Sequence, residues 1–249
     1  MDDFSARERV TPYNPPMSAG FSLDFNNVEK RFGMRLALRG ITLSIAPGEF
    51  VALVGANGSG KTTLLRIAAL LMRPSSGRIR IGGDALETLP GIRARCGMVS
   101  HATLLYDELT AEENLHFFAR LYDLRDADTE CAAALQRVGL SARAQDLVRT
   151  FSRGMRQRLS LARAMLPKPR LVLLDEPATG LDPAGQSWLG GEVARLHAEG
   201  CTILMSTHGK SESQSAVTRA IRLEAGAVAE DSAARGNVRA ILDHAAGEN

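Results

Sequence analysis

Cysteine is scarce in this chain of 249 residues: Cys96, Cys131 and Cys201 lie far apart. They offer neither a disulfide framework nor metal-ligand spacing, and they read as reduced cytosolic thiols. Long apolar runs are missing as well. A stretch such as Ile67 to Met72 falls far short of the roughly 20 residues that a helical membrane span needs. Any membrane role is therefore expected to come through a partner. There is no excess of one charge: the net charge is +2, and the basic residues are dispersed. Nucleic acid is accordingly not the expected partner. The N-terminus is polar and proline-containing, with no secretory signal. No internal repeat and no second phosphate-binding motif occurs. Lysine is rare too: only Lys30, Lys61, Lys168 and Lys210, against many arginines.

One of those four lysines sits in the most informative stretch. Gly55, Ala56, Asn57, Gly58, Ser59, Gly60, Lys61, Thr62 and Thr63 follow the apolar run Phe50 to Val54. The pattern is G-x-x-x-x-G-K-[ST], a strand feeding a glycine-rich loop feeding a helix. A triphosphate must be wrapped by backbone N–H groups, and glycines let the chain curl closely around it. The following helix N-terminus adds donors and a favourable dipole. Lys61 supplies a point charge for the β- and γ-phosphates, and Thr62 a hydroxyl for Mg²⁺. The reading is a nucleoside triphosphate bound with magnesium.

Apolar residues make up 45% of the chain, so a buried core is expected. Residues 1–20 carry Pro12, Pro15, Pro16 and Gly20 without apolar periodicity and read as a disordered tail. Strands are expected at Phe21 to Phe25, Ile41 to Ile45, Phe50 to Val54, Arg78 to Ile81 and Cys96 to Val99. The helix after the phosphate loop is expected from Lys61 to Met72, before Pro74. Thr110-x-x-Glu113 is a capping box that starts a helix running to about Tyr122. Further helices cover roughly Asp128 to Val138 and Ser152 to Met165. Leu171 to Leu174 is a short continuous apolar run, as in a fully buried parallel strand. Asp182 caps a helix that opens with Pro183. Thr202 to Ser206 is another buried strand, and Arg219 to Leu223 with Gly226 to Ala229 a final hairpin.

Asp175 and Glu176 end the strand Leu171–Leu174. Carboxylates at the carboxyl end of a buried strand sit where ligands bind in open α/β sheets. Asp175 is placed to hold Mg²⁺, and Glu176 to address a water attacking the γ-phosphate.

With these residues together, the chain resembles the nucleotide-binding subunit of an ATP-binding-cassette (ABC) transporter over roughly residues 21–230. Leu171 to Pro177 resembles the family's Walker B strand, and Thr179-Gly180-Leu181-Asp182 its D-loop. Phe151-Ser152-Arg153-Gly154-Met155-Arg156-Gln157-Arg158 resembles the signature sequence, best known as LSGGQ. Ser206-Thr207-His208 resembles the switch histidine, and Lys30-Arg31-Phe32-Gly33 the loop whose aromatic ring stacks on adenine. The resemblance implies an α/β phosphate-loop ATPase fold over residues 21–249. That fold has a mostly parallel core sheet, an antiparallel β subdomain and a helical subdomain at about 102–167. It implies ATP hydrolysis with Mg²⁺ held by Thr62 and Asp175, and with Glu176 and His208 as catalytic groups. Phe32 is expected to stack on the base. Ser152 and Gly154 are expected to reach the γ-phosphate held by a second protomer, so that two chains sandwich two ATP. The other implied partner is a membrane-spanning permease, which would place the chain on the cytoplasmic face of the inner membrane.

Three departures and one finer likeness follow. Arg153 and Met155 replace the signature's first Gly and its Gln. The family's Gln after the strand Cys96–Val99 is missing from Ser100-His101-Ala102-Thr103. Either Ala102 occupies its place or, with a shift of one residue, His101 does. Leu104 to Phe118 and Phe151 to Met155 resemble the haem-exporter ATPase of bacterial cytochrome c maturation, in wording shared by many small exporter ATPases. The alternative is a soluble cassette ATPase acting on ribosomes or nucleic acid. Such proteins usually carry two phosphate loops, or a long coiled coil between phosphate loop and signature, where this chain has only about ninety residues.

Overall fold

The computed structural model describes residues 20–82, 84–85, 92–100, 102–207 and 216–247. The expected disordered tail lies outside this set apart from Gly20. So do His101 and His208.

Strands β1 (Leu23–Phe32) and β2 (Arg35–Ile45) form an antiparallel hairpin, with Leu23 opposite Ile45 and Phe32 opposite Arg35. β3 (Phe50–Val54) enters a second sheet and leads through the glycine-rich loop into α1 (Lys61–Ala68). β4 (Ser76–Ile81) and β5 (Asp84–Ala85) return to the first sheet, whose order is β2-β1-β4-β5. The second sheet gains β6 (Cys96–Val99), β7 (Leu171–Asp175), β8 (Thr202–Ser206), β9 (Arg219–Glu224) and β10 (Ala227–Asp231). Its order is β10-β9-β3-β8-β7-β6, parallel throughout except for β10 at the edge.

Every residue of β3, β7 and β8 is buried, as continuous apolar runs covered on both faces should be. Alternation divides them between two cores. Val51, Leu53, Leu171 and Leu173 pack with α1 and the antiparallel sheet. Phe50, Val172, Leu174, Ile203 and Met205 pack against the other side. That side is covered by α4 (Arg153–Met165) and α5 (Pro183–Ala198), through residues such as Leu161, Leu189 and Val193. A third core belongs to the helices alone. There α2 (Ala111–Leu121) and α3 (Ala127–Arg137) meet α4 through Leu115, Leu135 and Leu159. The expected capping box is present: Glu113 N–H donates to Thr110 Oγ1 at 3.1 Å, and Thr110 N–H to Glu113 Oε2 at 2.8 Å.

Three features differ from the sequence reading. α1 stops at Ala68 rather than Met72. Leu70 adopts φ 59°, and its N–H turns back to Ile67 O at 3.0 Å, so the left-handed residue closes the helix before Pro74 can. The first hairpin is longer than its apolar alternation, because ladder bonds carry it on to Phe32 and Arg35. Two helices follow the final hairpin, α6 (Ser232–Arg235) and α7 (Val238–Gly247), and Ile241 packs on Val54 and Ala220. Burial pushes the Cys96 thiol up to about 12, so it is an inert core residue.

The capping box fixes the start of α2 on which the helical core is built. Thr110→Ala is expected to cost about 1 kcal/mol. That lowers the melting temperature by about 2–4 °C, as read by calorimetry.

Candidate functional site

The parallel register sets the site. Ser206 lies level with Asp175 across β7–β8 and with Leu53 across β3–β8. The carboxyl ends of these strands therefore converge on the glycine-rich loop. That loop has no room to collapse. A Cβ on Gly55 would come within 2.2 Å of Leu223 O, and one on Gly60 within 2.8 Å of Leu38 Cδ2. Both glycines also hold left-handed φ angles, 141° and 109°. Gly60 caps α1 without a side-chain hydrogen bond, which leaves the first helical N–H donors for a ligand. Ser59 Oγ is buried and has no partner among the described residues.

Lys61 is only 4% exposed, and its Nζ donates to Gly55 O at 2.6 Å and to Ala56 O at 3.1 Å. Burial pushes the ammonium below the usual lysine range; the nearby Glu176 and Asp175 oppose that shift. Asp175 Oδ1 accepts from Thr62 Oγ1 at 3.1 Å and from Ser206 Oγ at 2.8 Å. The Thr62 proton is thus committed to Asp175, and the hydroxyl's lone pairs are free for a cation. No group of three or more His, Cys, Asp and Glu side chains among the described residues could hold a metal alone. A cation here would need phosphate oxygens as well, which is how Mg²⁺ is usually held. The donor set fits a Mg²⁺–triphosphate.

Glu176 has φ 51°, uncommon for a residue with a side chain. Its N–H is shared between Ser206 Oγ at 3.0 Å and Ser206 O at 3.3 Å. It lines a cleft with Lys61, Thr62, Thr63, Asn57 and Phe32. Phe32 is 48% exposed, and Lys30 Nζ lies over its ring, 5.4 Å from the centroid. The sequence reading missed Arg35, which lines the same cleft: a Cβ on Gly58 would meet its Nη2 at 3.2 Å. The signal was a basic residue opposite Phe32 in the hairpin.

Ser152 and Gly154 are not brought to this cleft. Ser152 caps α4, its Oγ accepting from Met155 N–H at 3.3 Å. The next residue, Arg153, lines a second cleft with Thr103, Arg156, Gln157, Glu176 and Thr179. Its guanidinium covers Gly180, where a Cβ would fall 2.4 Å from Arg153 Cζ. Among the described residues, Glu176 is the one that lines both clefts. Ala102 is exposed, and Ser100 Oγ donates to its carbonyl at 2.9 Å.

A family model described as ABC transporter matches residues 38–179, more than half of the chain. The daunorubicin resistance ATP-binding protein DrrA3 of Streptomyces coeruleorubidus is 36% identical over 213 residues, 84% of this chain and 67% of that protein. The Nod factor export ATP-binding protein I of Paraburkholderia xenovorans (strain LB400) is 35% identical over 210 residues, 82% of this chain and 68% of that protein. The chain spans about two thirds of the length of these relatives. Among solved structures, the dimeric post-hydrolysis state of the ATP-binding cassette MJ0796 bound to ADP and Pi matches with a TM-score of 0.77. It is 27% identical, over 84% of this chain and 97% of that one.

The Lys61 shift gives binding a pH dependence of known sign. A bound polyanion raises the pKa that burial has lowered. Below the free-state pKa the ammonium is charged in both states, and affinity is flat. Above it, binding must take up a proton, and triphosphate affinity falls as pH rises. The fall should begin below the ordinary lysine range. Calorimetric titration from neutral to alkaline pH, in buffers of different ionisation enthalpy, measures both the fall and the proton uptake. Lys61→Ala should bind far more weakly and show neither.

Proposed function

Since the chain belongs to the ABC transporter family, as an ATP-binding subunit that hydrolyses ATP, we propose that it powers export of a small molecule through a membrane-spanning permease. The observation that carries the site assignment is the convergence of Lys61, Thr62 and Glu176 on one cleft, with the buried Asp175 hydrogen-bonded to Thr62 beside it. Lys61, with the N–H groups of residues 55–63, holds the β- and γ-phosphates. Ser59 Oγ, buried and otherwise unsatisfied, supplies one more donor to that cradle. Thr62 and Asp175 would hold Mg²⁺, which would supply positive charge to the phosphate oxygens. Glu176 orients the attacking water and takes its proton as the O–P bond forms, leaving ADP and phosphate. His208 is assigned to the γ-phosphate, and Phe32 to the base.

Two copies complete the site in this reading. The N-terminus of α4, with Ser152 and Gly154, is offered away from the chain's own phosphate loop. Glu176 stands between the two clefts, where nucleotide on one side and the facing signature on the other would both reach it. The dimeric state of the solved cassette supports this arrangement.

Export is supported by relatives named for daunorubicin resistance and Nod factor export. Haem as cargo rests on the wording of residues 104–118 and 151–155 and gains no support from these relatives. No described helix is long and apolar enough to cross a membrane, in keeping with a chain bound to the cytoplasmic face through its permease. Tyr106 and Phe117 meet edge-on at 4.9 Å while 49% and 41% exposed, an aromatic surface that suits a protein partner. The soluble alternative is not favoured.

Glu176→Gln keeps shape but removes the base. An ATP-bound dimer should then persist on size exclusion with Mg-ATP. A variant that stays monomeric and turns over at the parent rate would refute both the base and the sandwich. Ala102→Gln should raise turnover by about ten- to a hundredfold if the missing amide limits hydrolysis. An unchanged rate, with collapse in His101→Ala, would assign that work to His101.

A further inference from the structure

We propose that Ser206, at the end of β8, is a positioning residue that sets both carboxylates of the ATPase site with one hydroxyl. The proposal rests on the ATPase reading above. Its O–H donates to Asp175 Oδ1 at 2.8 Å, and its Oγ accepts the Glu176 N–H at 3.0 Å. Among the described residues Asp175 Oδ1 has one other donor, Thr62 Oγ1, and that hydroxyl would have a second duty at the cation. Among the described residues the Ser206 hydroxyl donates to no other charged group. It therefore holds Asp175 while Thr62 turns its lone pairs to Mg²⁺.

The second bond acts on Glu176. A backbone at φ 51° is unfavourable for a residue with a side chain, and persists only where the surroundings over-determine it. Ser206 supplies two acceptors for that one N–H, its Oγ and its carbonyl. The left-handed turn separates the directions of successive side chains, so that Asp175 and Glu176 serve different tasks. The Glu176 N–H also polarises the Ser206 hydroxyl and makes it a better donor to Asp175.

Rigidity makes the device precise. Ser206 is fully buried and lies opposite Asp175 in the β7–β8 register. One residue on, Thr207 N–H donates to Leu53 O at 3.1 Å, which fixes the strand end to β3. The hydroxyl has nowhere to swing.

The test compares Ser206→Ala and Ser206→Thr with the parent. Three quantities are read: ATP binding in EDTA, Mn²⁺ binding to the ATP complex by electron paramagnetic resonance, and steady-state turnover. Ser206→Ala should bind metal-free ATP within about twofold of the parent, because the phosphate loop is untouched. Its Mn²⁺ affinity should fall severalfold and its turnover about tenfold or more, as expected for loss of a hydrogen bond to a charged group. Ser206→Thr, which keeps the hydroxyl, should recover most of both. Mn²⁺ affinity and turnover unchanged in Ser206→Ala would overturn the proposal. So would loss of metal-free ATP binding in step with turnover, which would make Ser206 a support of the fold. A parent chain that binds no Mn²⁺–ATP would instead remove the ATPase reading beneath it.

Discussion

An ammonium group held almost out of water is the constraint on which the site depends. Burying a cation is costly unless it is paired, and Lys61 is offered two carbonyls of its own loop and the more distant carboxylates of Asp175 and Glu176. Two carbonyl contacts do not replace full hydration, and the depressed basicity of the amine records the deficit. A polyanion in the cleft would remove it. The rest of the architecture keeps the deficit from being relieved in another way. The glycine-rich loop is pressed between Leu223 on one side and Ala37 and Leu38 on the other, so it cannot fold over the amine. The parallel strands fix the carboxylates near enough for their charge to act on it.

What could be read from the sequence is what local chemistry dictates. The phosphate loop is written by its ligand, since only glycines and a lysine at that spacing can wrap phosphate. The runs at Phe50–Val54 and Leu171–Leu174 carry the mark of strands covered on both faces, and both are strands with every residue buried. Thr110 with Glu113, and Asp182 with Pro183, announce helix starts because a cap is a contact between near neighbours. The fold class, that of an ABC ATPase, follows from these parts in this order, as the likeness to the solved cassette bears out.

What could not be read depends on contacts between distant segments. The end of α1 is set by a backbone turn at Leu70 rather than by a breaker residue. α7 is amphipathic and short, and only its docking of Ile241 on β3 and β9 gives it a place. Arg35 and Ser206 are ordinary residues in ordinary strands; the register of two different sheets brings Arg35 to the cleft and Ser206 level with Asp175 behind it. Arg153 departs from the family signature, and nothing in the sequence says what the larger side chain does. In the structure it lies flat over Gly180, where any side chain would displace it. The bulky residue at 153 and the bare glycine at 180 thus fit one another.

The hairpin that carries Phe32 leaves its ring covered by Lys30 on one face and open on the other. A base laid on the open face meets a π-surface, and such a surface has no donor or acceptor with which to read the base's edge. Every base has a face of its own to offer in return. Adenine and guanine would therefore be told apart only weakly by this ring. The choice of nucleotide would then fall to whichever triphosphate the cell supplies in excess.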